Sequence, residues 1–161
     1  MNVVYLLLGS NLGSSKEILI NVSLEIERKI GSIVQKSSFY ESPPWGFEHH
    51  NNFLNQVLVI KTNLNPSKVL FESLKIEEQF GRVRMESKKY MARSIDIDTL
   101  FYNDQVIETK TLIIPHLQLH KRRFTLLPLN EVAPHIKHPV FNKTVEELLN
   151  LCSDQSDIKK L

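Results

Sequence analysis

The order of apolar patterns along this chain predicts an α+β fold, an antiparallel sheet with helices on one face. Three observations carry that expectation. The segments run strand, helix, strand, strand, helix, strand, followed by a helical tail. Each of the first two helices is introduced by a residue type suited to a helix start. Phe53 to Thr62 alternates well enough to be a strand between them. A split order of this kind matches the ferredoxin-like arrangement, with extra helices at the C-terminal end.

Each element has its own signal. Val3 to Leu8 is a continuous apolar run, the pattern of a fully buried strand, and Gly9-Ser10-Asn11 would end it. Ser14 with Glu17 three residues on reads as a capping box. Ile18, Val22, Ile26 and Ile30 then make one helical stripe, and Gly31 stops it. Val34 to Tyr40 is a second strand. Pro43 and Pro44 cannot supply ladder donors, so Ser42 to Asn52 is an irregular loop. Phe53 to Thr62 is the third strand. Asn65-Pro66 places a cap and a proline in their preferred order, opening a helix to about Phe80 with Leu70 and Leu74 inward. The strand around Asp96 to Tyr102 follows, then a tight turn at Asn103-Asp104 and a short strand over Gln105 to Ile107. Helices are expected over Leu126 to Val132 and after Thr144, which with Glu147 forms another capping box.

Composition narrows the class. The 161 residues fit one domain, 1–161, with room for a real core. Apolar residues are 42% and charged residues 24%, the balance of a globular rather than a disordered chain. The 20 basic and 18 acidic side chains give a net charge of +2, so any cationic site must be local and no global field favours nucleic acid. A single cysteine, Cys152, excludes an internal disulfide and a cysteine-built zinc cage, and reads as a small apolar filler. The apolar N-terminal stretch is too short for a signal core or a membrane span, so the cytoplasm is the default location.

The chemistry is concentrated in Arg93-Ser-Ile-Asp-Ile-Asp98. Strand side chains alternate, so Asp96 and Asp98 point the same way. Two carboxylates that close repel unless a cation sits between them, and a hard ion such as Mg²⁺ with phosphate oxygens answers that need. An isolated Asp-x-Asp is more often an exposed strand edge. Here Arg82, Arg84, Lys88, Lys89 and Arg93 precede it within a dozen residues. Carboxylates for a metal facing several cations are the inventory for handling a polyphosphate. Other groups can converge on the same place. Glu77 lies one helical turn before the basic segment, although a surface carboxylate is the simpler reading. His116 leaves a strand end and can donate to phosphate in either charge state. His120 to Arg123 form a second basic cluster. Phe53, Asn55 and Phe124 could sandwich and read a flat heterocycle, although paired aromatics are more often core. No Gly-x-x-x-x-Gly-Lys-Ser/Thr loop is present, so this is not a P-loop enzyme.

Taken together, Leu8-Gly-Ser-Asn-Leu12, Ser37-Ser-Phe-Tyr-Glu-Ser-Pro-Pro44, Phe53-Leu-Asn55, Gly81-Arg-Val-Arg84, the Asp96/Asp98 motif, Pro115-His116 and Arg122-Arg-Phe-Thr-Leu-Leu-Pro-Leu129 resemble the hydroxymethyldihydropterin pyrophosphokinase family of folate biosynthesis. The resemblance runs from residue 3 to about 135. It implies pyrophosphoryl transfer from ATP to the hydroxymethyl group of 6-hydroxymethyl-7,8-dihydropterin, with release of AMP. It further implies two Mg²⁺ ions on Asp96 and Asp98, and Arg82 and Arg93 as catalytic loop arginines. Glu77, Arg84, Lys88, Lys89, His116 and Arg122 would serve ATP. Ser42, Pro43, Pro44, Trp45, Phe53, Asn55, Asp96 and Phe124 would serve the pterin. The implied partners are these two small molecules, without nucleic acid or membrane, on a monomer. A metal-dependent nucleotidyltransferase is the competing enzyme reading, and a nucleic-acid-binding module the competing non-enzyme one. The chain departs from the family pattern at Met91-Ala92, where Gly-Pro is usual, and at Phe53, Tyr90, Thr99 and His120.

Overall fold

A computed structural model describes residues 1–11, 14–44, 52–81 and 95–161. The expected positions Trp45, Arg82, Arg84, Lys88, Lys89 and Arg93 lie outside the described residues.

The sheet is built around β4 (Phe53–Thr62), which pairs antiparallel with β1 (Asn2–Ser10) on one side. Its other side takes β2 (Ser32–Lys36) and β3 (Tyr40–Ser42) in succession. β5 (Asp96–Tyr102) pairs antiparallel with the far side of β1. Nearly every β4 residue is buried, as a central strand covered on both faces requires. The β1–β4 ladder runs unbroken from Asn2↔Thr62 to Ser10↔Leu54. The first strand therefore carries on through Gly9 and Ser10, where the sequence suggested a turn. The second expected strand is instead two, because Ser37 interrupts it. Its Oγ accepts from the Val57 amide at 2.9 Å, while the Ser37 amide donates to the Val57 carbonyl.

Two cores sandwich the sheet. On one face Val4, Leu6, Leu8, Leu58 and Ile60 meet α1 (Ser15–Lys29) and α2 (Pro66–Gln79) through Leu19, Val22, Ile26, Val69 and Ile76. On the other, Leu7, Val57, Leu100 and Phe101 meet α3 (Arg123–Val132) and α4 (Val145–Leu151) through Leu126, Leu129, Val145 and Leu148. Helices thus cover both faces, the C-terminal pair taking the face opposite α1 and α2. Leu100 and Phe101 share a face because the β1–β5 register shifts between Tyr5 and Leu6, the signature of a bulge.

Local signals explain most boundaries. Asn65 caps α2 by accepting from the Lys68 amide at 2.8 Å, with Pro66 in the first turn. Thr144 and Glu147 form the expected reciprocal capping box on α4. Ser14 does not form one. It is the N-cap of α1, but its backbone (φ −85°, ψ 78°) leaves the extended region a cap needs, and its side chain makes no capping bond. Gly31 follows the end of α1 and must be glycine, since a Cβ there would lie 2.2 Å from the Lys61 carbonyl oxygen. The inward stripe of α2 is Val69, Ser73, Ile76 and Glu77, a rotation of the face centred on Leu70 and Leu74. After the Asn103-Asp104 turn, β6 (Ile107–Glu108) pairs with β7 (Ile113–Ile114) in a separate ribbon. That short strand starts two residues later than expected. Among the described residues no helix is long and apolar enough to cross a membrane.

Candidate active site

One row across the sheet organises the site. Asp96 of β5 is opposite Gly9 of β1, Gly9 is opposite Asn55 of β4, and Asn55 is opposite Tyr40 of β3. Asp98 lies one step along the same face, opposite Leu7, which faces Val57. Leu7 and Val57 belong to the α3/α4 core, so both aspartates emerge on that face at the end of the strand. Gly9 leaves the middle of the row open. A Cβ there would sit 3.4 Å from Asn55 Oδ1 and 3.9 Å from the Phe53 ring.

At the β5 end Asp96, Asp98 and His116 are partly buried. His116 is placed by its backbone amide, which donates to the Leu100 carbonyl at 3.1 Å. Its Nδ1 accepts from the Gln118 amide at 3.1 Å. A neutral imidazole with Nδ1 as acceptor carries its proton on Nε2. That nitrogen lies 3.8 Å from Asp98 Oδ2. Burial pushes the imidazole down to about 4, the Arg122 charge pushes the same way, and Asp96 opposes them. His116 is thus a neutral donor at physiological pH. Arg122, almost wholly buried at the N-cap of α3, holds its guanidinium over the Phe124 ring, 5.6 Å from the centroid.

Glu77 is not the surface carboxylate its position suggested. It is 2% exposed, and Oε2 accepts from the Ile97 amide at 2.8 Å. Ile97 stands between the two aspartates, and among the described residues β5 pairs with β1 on one side only. Glu77 therefore satisfies a donor on the outer edge of the carboxylate strand and fixes its backbone.

At the β3 end the groups are neutral and mutually bonded. Asn55 is 2% exposed and Ser42 1%. Asn55 Nδ2 donates to Ser42 Oγ at 2.8 Å and to the Tyr40 carbonyl at 3.4 Å. Both amide hydrogens face β3, so Oδ1 faces Gly9. Phe53 is partly buried on the same strand face as Asn55, and Phe124 is partly buried beside the α3/α4 core on that side of the sheet. Pro43 and Pro44 are partly exposed just beyond Ser42. The structure thus brings Asp96, Asp98, His116, Arg122, Phe124, Phe53, Asn55 and Ser42 to one face, and sets Glu77 behind β5.

Gly9, Tyr40 and Glu131 were missed. In the sequence Gly9 only ends a strand, Tyr40 only closes the second strand, and Glu131 only lies within the expected Leu126 to Val132 helix. Only their register and bonding bring them to the row.

Residues 5–134 match the profile of the family described as 7,8-dihydro-6-hydroxymethylpterin-pyrophosphokinase. The chain belongs to that family. A relative from Aquifex aeolicus, named 2-amino-4-hydroxy-6-hydroxymethyldihydropteridine pyrophosphokinase, is 43% identical over 91% of this chain and 90% of its own length. One of the same name from Haemophilus influenzae is 35% identical over 99% and 98%. The folic acid synthesis protein fol1 of Pneumocystis carinii is 35% identical, but the chain spans only 21% of it. Among solved structures, an HPPK-DHPS in complex with substrates superposes with a TM-score of 0.76 at 17% identity, over 93% of this chain and 43% of that one. That likeness carries the fold: the family's antiparallel sheet with its helices is the architecture found here.

Proposed function

We propose that the chain performs the reaction its family is named for. It transfers the pyrophosphoryl group of ATP to the hydroxymethyl oxygen of 6-hydroxymethyl-7,8-dihydropterin, a step of folate biosynthesis. The hydroxyl oxygen attacks the β-phosphorus, the bond from that phosphorus to the α–β bridging oxygen breaks, AMP departs and the hydroxyl proton is released. The observation that supports this best is the row Asp96–Gly9–Asn55–Tyr40, with carboxylates at one end and a neutral polar floor at the other.

The donor set fits magnesium. Asp96 and Asp98 offer hard carboxylate oxygens from one strand face, the ligand type magnesium takes alongside phosphate oxygens. On this reading Asp96 and Asp98 hold two Mg²⁺, which when bound stabilise charge on the phosphate oxygens. The protein's own groups do the rest. His116 donates from Nε2 to a phosphate oxygen, and Arg122 adds a fixed positive charge beside it. Glu77 serves ATP indirectly, by holding the β5 backbone. Arg84, Lys88 and Lys89 complete the ATP site, and Arg82 and Arg93 supply charge as it develops in transfer. Phe53 and Phe124 stack the pterin, Asn55 presents Oδ1 to its ring donors, and Ser42, Pro43, Pro44 and Trp45 border it. We read the β5-β1-β4-β2 order as the split β-α-β of a ferredoxin-like fold. Residues 1–161 act as one monomeric cytoplasmic domain, without nucleic acid or membrane.

The experiment is direct. Protein, Mg-ATP and the dihydropterin should yield AMP and the pyrophosphorylated pterin in equal amounts. Release of free pyrophosphate would mean nucleotidyl transfer instead.

A further inference from the structure

We propose that Glu131 is a positioning residue for the pterin slot, tying α3 to β3 and so fixing the Asn55 amide against the Phe124 ring. The inference rests on the pterin reading of that slot given above.

Glu131 and Phe124 are seven residues apart on α3, two turns, so they share one helical face. Phe124 stands in the first turn, partly buried beside the α3/α4 core on the sheet face that carries Asn55. Glu131, near the helix end, reaches over β3 and the residues leading into it. Its Oε1 accepts from the Tyr40 hydroxyl at 2.6 Å. Its Oε2 accepts from the Ser38 amide at 2.7 Å and the Ser38 hydroxyl at 3.1 Å. Lys160 approaches Oε1 to 3.5 Å from β8 (Lys159–Lys160), which pairs with β3 on its outer side. One carboxylate is therefore the common anchor of β3 and of the strand outside it.

β3 needs an anchor. It has three residues, with the Ser37 interruption before it and two prolines after it. Nevertheless it sets the chemistry of the slot floor. The Tyr40 carbonyl can only accept, so it decides which end of the Asn55 amide faces β3. With the amide nitrogen held there and on Ser42 Oγ, Oδ1 is left as the acceptor over Gly9. If β3 drifts, the amide can turn over and present donors where the pterin also has donors. The bonding leaves its mark on the groups themselves. Partial burial raises the Glu131 carboxyl, but the Tyr40 and Ser38 bonds outweigh it and hold it below the usual range. Burial first, and then the Glu131 bond and charge, push the Tyr40 phenol up.

The test compares Glu131→Ala, Glu131→Gln and Tyr40→Phe with the wild type by calorimetric titration. One ligand is the dihydropterin in the presence of saturating Mg²⁺ and a non-hydrolysable ATP analogue; the other is the Mg²⁺-bound analogue alone. Glu131→Ala should weaken pterin binding about tenfold or more while analogue affinity stays within about twofold, the scale of one or two lost charged hydrogen bonds. Glu131→Gln keeps an acceptor and should recover part of the loss. Tyr40→Phe deletes a single hydroxyl and should lose a few-fold of pterin affinity with the fold intact. In turnover the pterin KM should rise more than kcat falls. Equal losses for both ligands, or an unchanged pterin affinity, would mean that Glu131 only braces the fold. Should Glu131→Ala fail to fold, Tyr40→Phe decides by the same criterion. A wild type that binds no pterin under these conditions would instead overturn the functional reading.

Discussion

The two ends of the Asp96–Gly9–Asn55–Tyr40 row solve opposite problems on one sheet. At the β3 end Asn55 and Ser42 are buried, and the Asn55 amide nitrogen finds its acceptors within the protein. At the β5 end Asp96 and Asp98 are only partly buried, and the nearest imidazole stands 3.8 Å from Asp98. A neutral planar ring is best met by a preformed floor, because every group already in place costs no ordering on binding. On the proposed reading, carboxylates that take up and release a cation with its nucleotide stay accessible, since full burial of a charge is costly. A buried, internally bonded end and a partly exposed one thus suit the two chemically different substrates of the proposed reaction.

Isosteric swaps at each end break the comparison most sharply. Asp96→Asn or Asp98→Asn keeps shape and removes charge at the open end. Turnover should fall below about a tenth of wild type at saturating Mg²⁺, a barrier increase above roughly 1.4 kcal/mol, while the melting temperature holds. AMP release and circular dichroism read the two effects, and a variant that keeps its activity is not missing a metal ligand. The reciprocal swap, Asn55→Asp, should act on the fold instead. It replaces the amide donor with an oxygen facing the Tyr40 carbonyl in a buried place. We expect about 2–4 kcal/mol of lost stability by urea unfolding. A stable Asn55→Asp protein would show that the β3 end is wetter than its burial indicates.

A smaller effect sharpens the assignment of the slot between the ends. Phe124→Ala should weaken dihydropterin binding by roughly 1–3 kcal/mol, the range for a lost ring stack, with little change for the nucleotide. Calorimetry that finds both ligands equally weakened would make Phe124 a core residue instead of a wall.

How much of this was legible in the sequence depended on how local each signal was. Asn65-Pro66 and Thr144/Glu147 are caps completed within four residues, and both helices begin where expected. The Asp96/Asp98 pair needs only strand alternation, and the ladder bears out the shared face. Ser14 failed as a capping box because the identical residue pattern was overruled by its backbone angles. Glu77 was misjudged because the donor that holds it buried, the Ile97 amide, lies 20 residues away on another element. Gly9 and Glu131 act across strand register and across 91 residues of chain respectively, to Tyr40 in the latter case. No pattern in sequence spacing encodes such partners. The family's motifs pointed to these positions, and the ladder shows why Asp96, Gly9, Asn55 and Tyr40 fall in one row.

The smallest predicted effect tests the open end through pH. The His116 imidazole, ordinarily near 6.5, is held down to about 4, first by burial and then by Arg122, against the pull of Asp96. A base with a lower pKa in the folded state binds fewer protons there than in the unfolded chain between those two values. Its share of stability is therefore complete above pH 6.5 and is lost progressively as pH falls toward 4. Burial lowers His120 and His138 too, so they add to the loss in the same direction. The depressed carboxyls of Glu131 and Asp154, whose ordinary values are 4.5 and 3.8, enter only at lower pH. Between pH 7.5 and 5.5, without Mg²⁺, the histidines should dominate, with His116 contributing on the order of 1 kcal/mol. Urea unfolding at the two pH values should show the wild type losing more stability than His116→Gln, which lacks the titrating group. If the two lose the same amount, water reaches the imidazole freely, and the neutral Nε2 donor assigned to the phosphate side has to be given up.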